Sequence, residues 1–507
     1  MVLKIIMLVA FFAVMIGVGF YCRKEAQNVD GFVLGGRKVG PWLTAFAYGT
    51  SYFSAVVFVG YAGQFGWKYG IASTWAGIGN AVIGSLLAWI ILGKRTRIMS
   101  HTLNSSTMPD FFGKRFDAKS LKIGASIITF VFLIPYTASL YNGLSRLFGM
   151  AFNIDYTICV IIMAVLTGVY VIAGGYMATA INDFIQGIVM LGGIVAVIIA
   201  VINGKGGFAS AFAQMAQVSD PSVGAEQGAF ASIFGPDPIG LLGVVILTSL
   251  GTWGLPQMVQ KFYAIKDESA IKKGTIISTI FALIVAGGCY FLGGFGRLFA
   301  DQIDLKAGGY DSIIPAMLSG LPDILIGIVV ILVLSASMST LSSLVLTSSS
   351  TITIDLVNEA KKKKMSDKSQ VLLMRVLIVV FIALSVIIAI VQYKSNVTFI
   401  AQLMGISWGA LAGAFLAPFL YSLFWKGTTK AACWVNFVFS VAFMLIDLFG
   451  NLTGAQILPV LLRSPINAGA FCMLAGFAIV PIVSAFTKKP SVGITEFAFS
   501  DIGKKNK

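Results

Sequence analysis

Apolar runs of about twenty residues recur along the whole chain, and no other feature limits its possible folds so strongly. A bilayer core about 30 Å thick is crossed by roughly 20 residues of helix. Thirteen stretches meet that length: residues 3–22, 41–66, 71–94, 119–149, 154–174, 178–203, 238–260, 272–299, 321–354, 371–392, 396–425, 429–450 and 468–487, here called segments one to thirteen. In hydrocarbon each must satisfy its backbone hydrogen bonds internally, which for single segments means helix. The expected class is therefore an all-α polytopic membrane protein with 13 transmembrane helices. With 57% hydrophobic and 11% charged residues, the chain leaves no stretch for a soluble catalytic domain. The first run is too long for a signal-peptide core and lacks a convincing small-residue cleavage site, so it reads as a retained helix.

The net charge of +15 invites a nucleic-acid reading, but its distribution argues for a membrane. Arg23, Lys24, Arg37 and Lys38 follow segment one, Lys94, Arg95 and Arg97 follow segment three, and Lys261, Lys266, Lys272 and Lys273 follow segment seven. Alternate loops are basic. By the positive-inside rule the N-terminus lies outside and the C-terminus in the cytoplasm of a plasma (inner) membrane, the arrangement an odd number of spans requires. The five cysteines sit in or beside apolar runs without paired spacing, and the single histidine, His101, lies in a basic loop. Neither pattern suits a disulfide framework, a metal centre or a proton relay.

Two kinds of segment depart from plain apolar helix. Segment nine carries SASMSTLSSLVLTSSSTIT at 335–353, a dense run of hydroxyls. Hydrocarbon offers a hydroxyl no partner, so the run must face protein, water or an ion. At helical spacing Ala336, Ser339 and Ser343 share one face, with Ser342 beside them and Thr340 opening the adjacent face. Such a stripe suits a hard monovalent cation. It equally suits close helix packing, with each hydroxyl bonded back to its own helix.

Segments two and seven are interrupted. AYGTSYFSA in the former and LTSLGTWGLPQMV in the latter place Gly, Ser and Pro at mid-membrane. They lie five segments apart, and a five-span repeat re-enters the membrane inverted, so segments two to six and seven to eleven would form a 5+5 inverted pair. Interrupted helices at corresponding positions of two halves point to a transporter's central site, although kinks accommodated by neighbouring helices would leave the same sequence trace.

Five motifs in order resemble the sodium:solute symporter family: FVLGGRKVGPW at 32–42, TMPDFFGKRF at 107–116, AGGYMATAINDFIQG at 173–187, SMSTLSSLVLTSSSTITIDL at 337–356 and WGALAGAFLAPFLYSLFW at 408–425. The resemblance implies a leucine-transporter-type fold, with residues 1–40 forming an N-terminal extra helix and loop, 41–203 the first five-helix repeat, 204–237 an extracellular loop, 238–425 the second repeat, and 426–507 two C-terminal helices and a basic tail. It also implies a shared sodium site built from backbone carbonyls of Thr50, Phe53 and Ala336 with the hydroxyls of Ser339 and Thr340. A second sodium site, present in some members, would fall on Asp183, Ser339, Ser342 and Ser343. Asp183 has a structural alternative, capping segment six near the Gly174–Gly175 turn.

In the family the solute lies between the two broken helices and the third core helix. The implied contacts are Ser51, Tyr52, Ser54, Val56, Tyr136, Asn142, Thr252, Trp253, Pro256 and Gln257. Proline-transporting relatives carry an acidic residue at the position of Tyr52 and a tryptophan at that of Val56; this chain has neither. A pocket without an acidic partner, faced by helix termini, favours a carboxylate-bearing solute. Trp253 and Tyr136 read equally well as packing aromatics. The expected function is sodium-driven import of a monocarboxylate or amino acid by alternating access, with one or two Na+ ions, a small solute and the lipid bilayer as partners and no nucleic acid. A membrane sensor or a channel is the rival reading. An enzyme is disfavoured, because the chain carries no nucleophile and base pair or phosphate-cradling loop in a suitable context.

Overall fold

The computed structural model describes residues 2–152, 154–361, 363–395, 400–455 and 457–502. Their regular structure is helical throughout, apart from two isolated bridges. Among the described residues ten helices are long and apolar enough to cross a membrane, or eleven when the bent pair Pro238–Gly254 and Pro256–Ala264 is taken as one. Where they are described, the apolar segments are mainly helical.

Two continuous helical runs are too long for one crossing. Val56–Thr102 and Tyr156–Asn203 contain 47 and 48 residues, so at about 1.5 Å per residue each would exceed twice the hydrocarbon thickness. Each changes direction at a glycine. Gly70 has φ 61°, ψ −141° and Gly175 has φ 54°, ψ −145°, a region that side chains with a Cβ avoid. Crowding reinforces the requirement, because a Cβ on Gly70 would lie 2.1 Å from the Phe230 carbonyl oxygen and one on Gly175 would lie 2.8 Å from that of Phe32.

Both predicted interruptions are present, and their geometry matches. The helix Pro41–Tyr52 ends at Phe53 with φ −87°, ψ 120°. The helix Pro238–Gly254 ends at Leu255 with φ −80°, ψ 123°, and the chain then bends 46° into Pro256–Ala264. The lower ends of the two broken segments are tied together as well. Val39, just before Pro41, donates its N–H to the Ala264 carbonyl at 3.2 Å and accepts from the Lys266 N–H at 3.1 Å.

The TMPD motif folds into a capped helix, Met108–Phe116, whose Thr107 hydroxyl accepts from the Asp110 N–H at 3.1 Å. The same hydroxyl donates to Asp355 at 2.6 Å, at the far end of the hydroxyl-rich helix. Lys122 joins them, lying 2.9 Å from Asp110, 3.6 Å from Asp355 and 3.3 Å from Glu359. Two motifs separated by more than two hundred residues thus close one buried charge network. On the other side, Arg297 anchors the 204–237 loop: it donates to the Trp67 carbonyl at 2.7 Å and to Asp220 at 2.9 Å, and stacks on Phe230.

Candidate functional site

The break in segment two frees carbonyl oxygens because the residues beyond it cannot supply the usual i+4 amide. Segment nine brings hydroxyls to them. Ser339 Oγ lies 3.0 Å from the Thr50 carbonyl oxygen and 3.0 Å from that of Ala336. Thr340 Oγ1 lies 3.2 Å from the carbonyl oxygens of both Thr50 and Phe53 and 3.1 Å from that of Ala336. All five residues are buried. Five uncharged oxygens from two helices are thus linked by hydrogen bonds in one buried cluster, and each hydroxyl oxygen retains lone pairs while its proton is donated. This is the coordination chemistry of a hard cation in a desolvated site.

The Asp183 group is arranged differently. Asp183 is fully buried, and among the described residues neither carboxylate oxygen finds a hydrogen-bond donor, so the capping alternative does not hold: the carboxylate accepts no backbone N–H there. Ser342 donates to the Ser339 carbonyl at 2.9 Å. Ser343 Oγ lies 2.9 Å from Ser51 Oγ and accepts from Lys261 Nζ at 3.0 Å. Lys261 Nζ is in turn 3.8 Å from Asp183 Oδ2. The sequence reading grouped Lys261 with the basic loop after segment seven. Instead it is buried on the helix Pro256–Ala264, because that helix continues beyond the break at Leu255.

The implied solute contacts divide into two sets. Gln257 and Tyr136 are buried, and among the described residues the Gln257 amide has no hydrogen-bond partner. Ser54 and Val56 are buried beside the break, where the Ser54 hydroxyl accepts from the Val56 N–H at 3.2 Å, and Pro256 starts the second half of segment seven. The side chain of Tyr52 lies outside the described residues. Asn142, Thr252 and Trp253 are engaged elsewhere. Asn142 bonds Gln392 at 2.6 Å and accepts from the Tyr156 hydroxyl. Thr252 donates to the Gly84 carbonyl and Trp253 to the Ile83 carbonyl, each at 2.9 Å. Segment three is π-helical over Asn80–Leu87, which leaves such carbonyls available to a neighbouring helix.

Trp408 was absent from the sequence reading of the pocket. Its ring stands edge-on to Tyr136 at 5.9 Å, and Gly251 makes room for it, since a Cβ there would lie 2.5 Å from the indole. The only available signal was its place at the head of the 408–425 motif.

An all-helical membrane chain with two broken helices meeting a hydroxyl-lined helix has the architecture of a secondary transporter. A profile of the Sodium:solute symporter family matches residues 32–437, and the chain belongs to that family. The osmoregulated proline transporter OpuE of Bacillus subtilis (strain 168) is 29% identical over 495 residues, covering 96% of this chain and 95% of that protein. A sodium/proline symporter of Staphylococcus aureus (strain JH9) is 28% identical over 513 residues, covering 98% and 95%. A substrate-bound, outward-open Na+-coupled sialic acid symporter superposes with a TM-score of 0.74 over 96% of this chain and 98% of its own, at 18% identity. That likeness establishes a shared fold.

Proposed function

We propose that this protein is a sodium-coupled symporter importing a small carboxylate-bearing solute, an amino acid or a monocarboxylate, by alternating access. The observation that carries the reading is the convergence of the Thr50, Phe53 and Ala336 carbonyls on the Ser339 and Thr340 hydroxyls. Sodium bound there would hold segment two against segment nine. The solute would lie beside it, against Gln257, Tyr136 and Trp408, with Ser54, Val56 and Pro256 completing the wall. Three groups able to donate a hydrogen bond, and no acidic side chain among them, favour a carboxylate over a lone amine. Proline, named for the relatives in Bacillus and Staphylococcus, is one candidate of this class.

The wider plan is thirteen spans with the N-terminus outside, a 5+5 inverted repeat over 41–203 and 238–425, and the 204–237 loop extracellular. Matching break conformations at Phe53 and Leu255, and the glycine turns inside the two overlong helical runs, support it. Coupling then needs no further device: ion and solute stabilise one arrangement of the broken helices, so each raises the other's affinity by the same factor.

A thermal-shift screen of amino acids and monocarboxylates with and without sodium, followed by counterflow in proteoliposomes, tests this. A solute that stabilises the protein further only when sodium is present, and that exchanges in counterflow, is expected. Solute stabilisation indifferent to sodium, with no counterflow, would favour the sensor or channel reading.

A further inference from the structure

Lys261 joins all the elements of the centre. Its ammonium lies 3.0 Å from Ser343 of segment nine, 3.8 Å from Asp183 of segment six, and 5.1 Å from the ring of Tyr176. Ser343 passes the contact to Ser51, one residue from the Thr50 carbonyl of the sodium site. Lys261 is only 2% exposed and Asp183 is fully enclosed. Among the described residues the ammonium is the sole cation within ion-pair distance of that carboxylate.

A buried carboxylate without a counter-charge is strongly disfavoured, and a buried like-charge pair equally so. Asp183 can therefore be neutralised by a tethered ammonium or by a free ion, while a free sodium ion placed beside Lys261 would face the repulsion of a fixed positive charge at short range. Lys261 also stands one helical turn from Gln257, on the same face of Pro256–Ala264. A solute held by Gln257 thus bears on the helix whose lysine contacts Ser343.

From this geometry we infer that the Lys261 ammonium is the resident cation of the Asp183–Ser342–Ser343 group, so that the transporter couples a single sodium ion to each solute. The second positive charge is carried by the protein and moves with the half of segment seven that lies beyond its break. This rests on the reading of the chain as a sodium symporter with its ion at Thr50, Phe53, Ala336, Ser339 and Thr340.

The experiment counts sodium. Equilibrium binding of radioactive sodium to the purified protein, with the Hill coefficient for sodium-driven uptake in proteoliposomes, is measured for the parent, Lys261→Met, Asp183→Asn and the double variant. The parent is expected to bind one ion with a Hill coefficient near one. Lys261→Met unmasks Asp183, bringing binding to two ions and the coefficient toward two, and adding Asp183→Asn returns both to one. A parent that binds two ions, falling to one in Asp183→Asn, would overturn the inference while leaving the sodium reading intact. A parent that binds none would remove the sodium reading itself. The count on the parent decides the matter even if a variant fails to fold.

Discussion

The hydroxyl oxygen of Thr340 lies 3.2 Å from the carbonyl oxygen of Phe53, the residue at which segment two leaves helical geometry. A side chain 287 residues downstream thus meets a backbone group that an unbroken helix would have used internally. The same break exposes the Thr50 carbonyl to Ser339 and Thr340, and the proposed ion site depends on that one interruption.

Asn142→Ala should cost stability rather than solute affinity. Its amide is held by Gln392 and Tyr156, so its loss strips buried polar groups of a partner, at about 1–3 kcal/mol. Thermal unfolding should move down while the solute KM stays within about twofold. An unchanged melting temperature with a large rise in KM would place Asn142 at the solute instead.

Lys122→Met should destabilise far more than Glu359→Gln. Lys122 is the cation that Asp110, Asp355 and Glu359 share; without it Asp110 keeps Lys114 and Glu359 keeps Lys119 and Lys364, but Asp355 is left buried with no other ion-pair partner among the described residues. A loss of roughly 3–5 kcal/mol is expected, against roughly 1 kcal/mol for Glu359→Gln, whose side chain is more exposed. Denaturant or thermal unfolding in detergent reads the difference, and equal effects would show that the network is not buried in the working protein.

Gly66→Ala should push the upper half of segment two off the helix Glu268–Gly293. An added Cβ would meet the Gly293 carbonyl oxygen at 1.9 Å, and backbone cannot swing aside as a side chain can. Overpacking of this kind costs typically 1–3 kcal/mol and sometimes more. Yield and melting temperature should both fall, whereas Gly36→Ala, with open space around its Cβ position but φ of 66°, should show only the smaller cost of its backbone conformation.

The 204–237 loop should loosen in acid. Hydrogen bonds from Ser222 and from Arg297 hold the Asp220 carboxyl below the usual carboxylate range. A carboxyl with a lowered folded value contributes stability that is present above its unfolded value and lost as pH falls through the folded one. Proteolysis within 204–237 should therefore accelerate below about pH 4 in the parent, and Asp220→Asn should show fast cleavage already at neutral pH. Cleavage independent of both pH and this substitution would mean that the ion pair does not anchor the loop.

Much of the proposed site is legible in the sequence because it depends on local pattern. The break at Thr50–Phe53 is written in Gly and Ser at mid-membrane, and the Ser339–Thr340 face in helical spacing, so each partner is visible without the other. Lys261 was not legible. A lysine at the end of an apolar run normally reaches for water, and only the continuation of the helix past Leu255, with Asp183, Tyr176 and Ser343 arriving from distant segments, turns it inward. The same limit applies to Thr252 and Trp253, whose side chains turn to Gly84 and Ile83 because the π-helical turn of segment three offers carbonyls there. Side-chain direction at a break depends on what the opposite helix leaves unpaired, and single-sequence periodicity does not carry that.

The most direct test of the ion site is the sodium dependence of thermal stability in the purified parent, Ser339→Ala and Thr340→Ala, read against matched potassium and choline series. Both substitutions are small truncations at buried positions, and each removes one proposed ligand oxygen. The parent should be stabilised saturably by sodium alone, and each variant should need at least about tenfold more, a loss of about 1.4 kcal/mol in ion binding. Identical sodium titrations in parent and both variants, or equal stabilisation by potassium, would contradict it.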